Sequence, residues 1–201
     1  MPPNETCFLP PNSSAVFCAL IPNAAWAERV IQAGAKILLL RCRGLFGSGL
    51  YREIECSAQL AKTGGAQLWI QDYWVEAIEC GAFGICIEKE DADCVDWVKI
   101  RQANLRVCVR IDSLDALSAA LKYTPDCIAF EADFSQAEHR ENLHRIITEA
   151  RKTPIMAIST ADIINNGEPI NLINTGIACL ALDCAAVKNP EALLQYFQDN
   201  T

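Results

Sequence analysis

Beyond its first fourteen residues the chain alternates two hydrophobic textures. Short, almost continuously apolar runs, many of them β-branched, occupy residues 15–21, 36–41, 67–72, 83–87, 106–111, 127–130, 154–158 and 178–182. Between and after them, apolar residues recur at i, i+3 and i+4 over 25–32, 51–61, 74–79, 94–103, 114–122, 140–151, 169–174 and 191–197. The first texture predicts buried strands and the second predicts helices with one apolar face. Glycines punctuate the pattern. Gly34, Gly65, Gly81 and Gly176 each follow a helical segment, where a left-handed residue is wanted. Asn189 before Pro190 predicts an N-cap followed by the first helical position. Asp112 and Ser113, ahead of Leu114, predict a cap in the same role.

Eight strands, each followed by a helix, imply a parallel sheet with crossover helices. Eight such units close naturally into a (β/α)8 barrel, an α/β fold. An open doubly wound sheet is the alternative. No G-x-G-x-x-G follows the first strand, which counts against the dinucleotide-binding version of that sheet. The expected organisation is an arm rich in Pro, Asn and Ser over residues 1–14 and one barrel domain over 15–201.

Composition supports a folded domain and narrows its partners. Of 201 residues 51% are hydrophobic and 21% charged, enough apolar material for a core, so disorder is not expected. The net charge of −8 gives no general basic footprint for nucleic acid. No apolar run approaches the roughly 18 residues of a membrane span. The N-terminus has neither the charged nor the apolar region of a secretory signal. The eleven cysteines form no C-x-x-C pair, and most lie in apolar runs. They read as small buried hydrophobes kept reduced, with a cytoplasmic location. His139 and His144, the only histidines, fall in a charged helical stretch and offer the cysteines no metal partners. Trp26 reads as packing; Trp69, Tyr73 and Trp74 either line a pocket or cover the barrel.

A barrel of this type carries its active site at the C-terminal ends of its strands. There the chain places Arg41 and Arg43, Gln71 and Asp72, Glu88 to Asp91, Arg110 and Asp112, Glu131 and Asp133, Ser159 and Thr160, and Asp183 and Cys184. Guanidinium forks match phosphate oxygens. Two carboxylates on neighbouring strands suit Mg2+, which keeps most of its waters and bridges to phosphates. The residues thus point to a small phosphorylated ligand. They also fit ordinary loop roles, with Asp91 capping the next helix and Asp72 paired with Arg41 or Arg43.

Several segments are then recognisable in order. LLLRCRG is similar to the QxRxK motif of thiamine phosphate synthases and the related thiazole tautomerases. LWIQDYWVEAIECGAFGICIEKEDA resembles that family's INDxxxxAxxxxADGVHxGQxD, and VCVRIDSLDALSAAL keeps the phase of GxSxHSxEExxxA. PDCIAFEADF stands at DYxxxGPxF, PIMAISTADI at PxxAIGGI, and GIACLALDCAAV at GxxGVAVxSAI. The collinear series runs from Lys36 to the end of the chain, and no single motif in it is closely kept. The resemblance implies a (β/α)8 barrel. It also implies condensation of a hydroxymethylpyrimidine diphosphate with a thiazole phosphate, releasing diphosphate and using Mg2+. Arg41 takes the family's arginine position and Arg43 its lysine, the catalytic cations. Asp72 and Asp91 take the two magnesium-ligand positions. Gln71, Arg110, Ser159, Thr160 and Cys184 take positions that touch substrate or phosphate. A homodimer is compatible with the resemblance.

Many of these positions depart from the family. Leu39 stands for the pyrimidine-contacting glutamine and Gln71 for the asparagine beside Asp72. Cys86 replaces the histidine of GVH, and Glu88 and Lys89 replace Gly-Gln. Arg110 and Asp112 replace the serine and histidine of the fifth strand, which also weakens a tautomerase reading. The lysine loop after the sixth strand becomes Ser135 to His139. Ser159, Thr160 and Cys184 replace the small residues of the thiazole-phosphate cradle. Asp183, Glu131 and Asp133 would repel phosphate if they pointed inward. Two classes of function therefore stand side by side. One is a synthase with a degenerate site; the other is a non-catalytic or repurposed barrel for another phosphorylated ligand or a protein partner. Cys86 is a conceivable nucleophile only if a cation lowers its pKa.

Overall fold

The computed structural model describes residues 16–150, 152–159, 172–185, 192–195 and 199. The arm over 1–14 lies outside them, as do Thr160, the Asn189–Pro190 cap and the first half of the helical segment at 169–174. The strands are β1 (Val16–Ile21), β2 (Ile37–Leu40), β3 (Gln67–Gln71), β4 (Gly84–Glu88), β5 (Arg106–Ile111), β6 (Cys127–Ala132), β7 (Ile155–Ser159) and β8 (Cys179–Asp183). Each pairs in parallel with the next, and β8 pairs with β1, so the sheet closes into a barrel. Between them run α1 (Ala24–Gln32), α2 (Gly47–Gly64), α3 (Trp74–Glu79), α4 (Trp97–Gln102), α5 (Leu117–Leu121) and α6 (Ala137–Glu149). Closure excludes the open sheet.

The continuous apolar runs follow from closure, because each strand is buried on both faces. One set of side chains fills the barrel: Leu20, Leu39, Met156 and Ile158, with Trp69 and the small Cys18, Cys86, Cys108, Cys127 and Cys179. The alternate set, including Ile21, Leu38, Leu40, Ile70 and Val109, packs outward under the helices. Trp69 belongs inside the barrel, while Tyr73 and Trp74 cover its outer layer. Its indole occupies the space opposite Gly84, its partner on β4. A Cβ on Gly84 would stand 2.6 Å from Trp69 Cε3 and 2.9 Å from the Arg106 carbonyl oxygen. Five cysteines and one glycine thus leave room for one large ring, the small-against-large filling a narrow barrel needs. Every described cysteine is free of disulfide bonds.

The helices follow local signals, with one correction. Asn23 caps α1 by accepting from the Trp26 N–H (3.0 Å), and Glu53 of α2 accepts from the Ala24 N–H. Gly34, Gly65, Gly81 and Gly176 all take positive φ. Asp112 and Ser113, however, do not cap α5. That helix starts later, at Leu117, behind a turn closed by the Leu117 N–H on the Leu114 carbonyl (3.0 Å). Its N-cap position is Ala116, with no side-chain hydrogen bond. The strand–helix loop consumes the residues expected to start the helix.

Candidate functional site at the barrel mouth

β4, β6, β7 and β8 each run one or two residues beyond their apolar pattern, ending at Glu88, Ala132, Ser159 and Asp183. The residues so added include polar groups held on rigid strand backbone at the barrel mouth. Arg41 follows β2 directly, and its N–H donates to the Ile21 carbonyl (2.9 Å). Although charged, it is only 8% exposed, as is Gln71 at the end of β3.

These groups form a closed ring. Arg41 Nε donates to Gln71 Oε1 (2.5 Å). Arg41 Nη1 and Nη2 donate as a fork to the two oxygens of Glu131 (2.9 and 2.7 Å). Arg110 Nη1 donates to the same Glu131 Oε2 (2.8 Å), and Arg110 Nη2 pairs with Glu88 Oε1 (2.5 Å). Gln71 Nε2 completes the circuit by donating to Asp72 Oδ2 (3.1 Å) and to Glu88 Oε1 (3.4 Å). Asp72 Oδ1 accepts the Glu88 N–H (3.2 Å). The ring joins the ends of β2, β3, β4, β5 and β6. Forked, charge-assisted bonds of this kind are the strong ones.

The surroundings set the charge states. Burial works against an ionised Glu131, but Arg41 and Arg110 outweigh it and hold its carboxyl below the usual glutamate range. Burial likewise opposes the Arg110 charge, and Glu131 and Glu88 more than restore it. Asp72 differs. Its oxygens accept neutral N–H groups, and burial, aided by the nearby Glu88, pushes its carboxyl up. Asp72 sits at φ 67°, a left-handed conformation that aspartate tolerates better than most residues, with its N–H on the Cys86 carbonyl (2.9 Å).

The remaining expected residues are dispersed around the mouth. Arg43 is exposed, and with Arg41, Leu20, Ile21, Glu53 and Asp183 it lines a cavity of about 450 Å3. Asp91 is exposed beside Glu88, to whose carbonyl its N–H donates (3.0 Å); it makes no side-chain cap to the turn that follows. Asp72 pairs with neither Arg41 nor Arg43, since its partners are Gln71 and the Glu88 N–H. Ser159 is buried at the end of β7. Cys184 is buried past β8, its N–H on the Leu20 carbonyl (2.9 Å) and its thiol on that of Leu182 (3.8 Å). Asp133 turns to its own loop, accepting from the Ser135 N–H and hydroxyl and from Gln136. Cys86 is buried inside the barrel, and its hydrogen bond with Cys108 and its burial push its thiol pKa well up, against the role of a nucleophile. A larger cavity, about 810 Å3, lies between α2 and α3 and involves none of the mouth residues.

The sequence places Glu88 at the mouth without a role and offers Glu131 as a charge that repels phosphate or serves another ligand; it does not offer either as the partner of an arginine. Their signal was a carboxylate at the end of each strand, and for Glu131 a charge where DYxxxGPxF has glycine. The role of each depended on an arginine far away in the chain, up to 90 residues for Arg41 and Glu131.

Comparison with known proteins gives a consistent picture. The sequence model of a family described as thiamine monophosphate synthase matches residues 19–182. A thiamine-phosphate synthase of Neisseria meningitidis serogroup A is 36% identical, covering 95% of this chain and 97% of that protein. One from Neisseria gonorrhoeae is 35% identical over the same shares. The solved structure of a thiamine phosphate pyrophosphorylase from Pyrococcus furiosus superposes with a TM-score of 0.75, at 19% identity and over 92% of this chain and 94% of that one.

Proposed function

We propose, since this chain belongs to the thiamine monophosphate synthase family, that its barrel mouth binds phosphorylated small molecules and carries out the synthase condensation. In that reaction the bond from the pyrimidine methylene to diphosphate breaks, the thiazole nitrogen attacks the methylene carbon, and diphosphate leaves. The demand on the protein is stabilisation of charge on the departing group. The observation that carries the reading is convergence: Arg41 and Arg110 both lie within 2.8 Å of one oxygen position, now held by Glu131 Oε2. Two guanidiniums aimed at one oxygen form an anion site.

Each residue of the ring then has a task. Arg41 and Arg110 bind and orient the diphosphate, and Arg43 adds a third cation from the adjoining cavity. Gln71 holds Arg41 by Nε and Asp72 by its amide, fixing both side chains in one frame. By the resemblance, Ser159 and Cys184, at the end of β7 and directly after β8, take the positions that serve the second phosphate. Asp72 and Asp91 would hold Mg2+, as hard oxygen ligands of the kind this ion takes one or two at a time beside water and phosphate. Asp72 fits that role because it is a half-buried carboxylate whose hydrogen-bond donors are both neutral. No group of three or more potential ligands occurs among the described residues. The ion would supply charge neutralisation on the diphosphate oxygens.

A second reading, a barrel of this family that has lost the chemistry, is favoured by one observation: Glu131 and Glu88 already neutralise the two arginines. A turnover assay separates the two. With hydroxymethylpyrimidine diphosphate, thiazole phosphate and Mg2+, the synthase reading expects metal-dependent product. Asp72→Ala is expected to lower the rate roughly a hundredfold, the scale of losing one charge-stabilising group. Absence of product from the wild-type protein would establish the second reading.

A further inference from the structure

We propose that Glu131 sets which anions this mouth accepts: its carboxylate is an internal anion seated between Arg41 and Arg110, and an incoming phosphate oxygen reaches both guanidiniums only by taking its place. The inference rests on the mouth being the ligand site, and goes beyond it by assigning the selectivity to one side chain.

Three hydrogen bonds from two cations meet on this carboxylate, at 2.7, 2.8 and 2.9 Å. That is the donor geometry of a phosphate or carboxylate site. The cations are not free to follow a ligand elsewhere. Arg41 is pinned through Nε by Gln71, and Arg110 through Nη2 by Glu88. Glu131 is attached to strand backbone paired with β7, so it leaves the position only by rotating its side chain. Arg110 Nε is buried and has no hydrogen-bond partner, a guanidinium donor the ring leaves unused. Around the two guanidiniums of the ring stand three carboxylates, Glu131, Glu88 and Asp72. An anion entering must displace one carboxylate and tolerate two more. A multiply charged group such as diphosphate competes for the position far better than a neutral or singly charged one.

The consequence is measurable without turnover. Inorganic diphosphate is titrated calorimetrically at pH 7 into the wild-type protein, Glu131→Gln, and the double variant Glu131→Gln with Arg41→Gln. Removal of the internal charge is expected to tighten diphosphate binding at least tenfold in the single variant. The double variant is expected to lose that gain. Equal or weaker binding by Glu131→Gln, or a gain that persists without Arg41, would overturn the proposal. Glu131→Asp guards against misfolding of the glutamine variant. One methylene shorter, it keeps the charge but withdraws it from one guanidinium, and it is expected to bind diphosphate several-fold tighter than wild type. No gain there would count equally against the proposal. The outcome is separable from the synthase reading. Tighter diphosphate binding by Glu131→Gln alongside an inert wild-type protein upholds the internal anion and sinks the synthase. Product formation with unchanged diphosphate affinity does the reverse.

Discussion

Each of the three guanidinium nitrogens of Arg41 donates to a protein side chain, and two of them donate to Glu131. A pair this buried is costly to break from one side, because the partner is left as an uncompensated charge. Glu131→Gln is therefore expected to destabilise the fold by about 3 kcal/mol at neutral pH, as for other buried pairs losing one member. The pH dependence has a definite sign. The carboxyl of Glu131 is held below its ordinary value of 4.5 in the folded protein. Its stabilising contribution is then complete above that value and is lost as pH falls through the lower folded one. Denaturant midpoints of wild type and Glu131→Gln are expected to converge as pH drops from 7 to 3; a constant gap would show that the ion pairs contribute nothing. Asp72 has the opposite sign, since burial raises its pKa and its contribution is lost as pH rises through the folded value. Comparing the two proteins at each pH cancels that effect to the extent that Asp72 titrates alike in both.

At the scale of elements, β3 and β4 show how one small residue admits a large one. Gly84 has no conformational need for glycine, since its φ is not positive; it is there because Trp69 fills the space a Cβ would take. Gly84→Ala is expected to cost about 2 kcal/mol by overpacking, read as a lower urea midpoint with an unchanged slope. A midpoint within error of wild type would mean that both the indole and the Arg106 carbonyl can give way. The strands were legible as elements because their apolar runs are continuous, but their ends were not. β6 reads as finished at Phe130, since the next residue is a glutamate, yet the ladder continues to Ala132. The charge is tolerated there because two arginines wait at the mouth. The helix start at Leu117 was misplaced for a related reason: Asp112 and Ser113 carry a capping signature, but the loop from β5 spans the distance to the helix layer before the chain turns helical.

For the whole molecule, closure places two distinct apolar layers around one sheet. Five cysteines face the barrel interior with no measurable or nearly no exposure, whereas Cys56 and Cys94 are on the surface. A thiol-alkylating reagent is expected to modify Cys56 and Cys94 in the native protein, and Cys18, Cys86, Cys108, Cys127 and Cys179 only after unfolding. Native modification of the interior set, detected by mass spectrometry, would mean that the barrel opens on the labelling timescale. No helix among the described residues is long and apolar enough to cross a membrane.

The alternation of buried runs and amphipathic segments was enough to specify eight strands, their intervening helices and the barrel class, because periodicity is a local property written every few residues. The glycine turns and the Asn23 cap are local in the same sense. The collinear motifs placed Arg41, Gln71 and Asp72 at the mouth for the same reason: each stands at the end of its own strand or directly after it. What each polar group binds was decided by closure. Arg41 and Glu131 stand 90 residues apart, Arg41 and Gln71 30, and Arg110 and Glu131 21. Charges near strand ends carry no record of which neighbour they meet, since that depends on strand order and on the level each strand reaches. Coulomb attraction acts on distance in space, so the pairing of two arginines with one glutamate exists only once the sheet has closed.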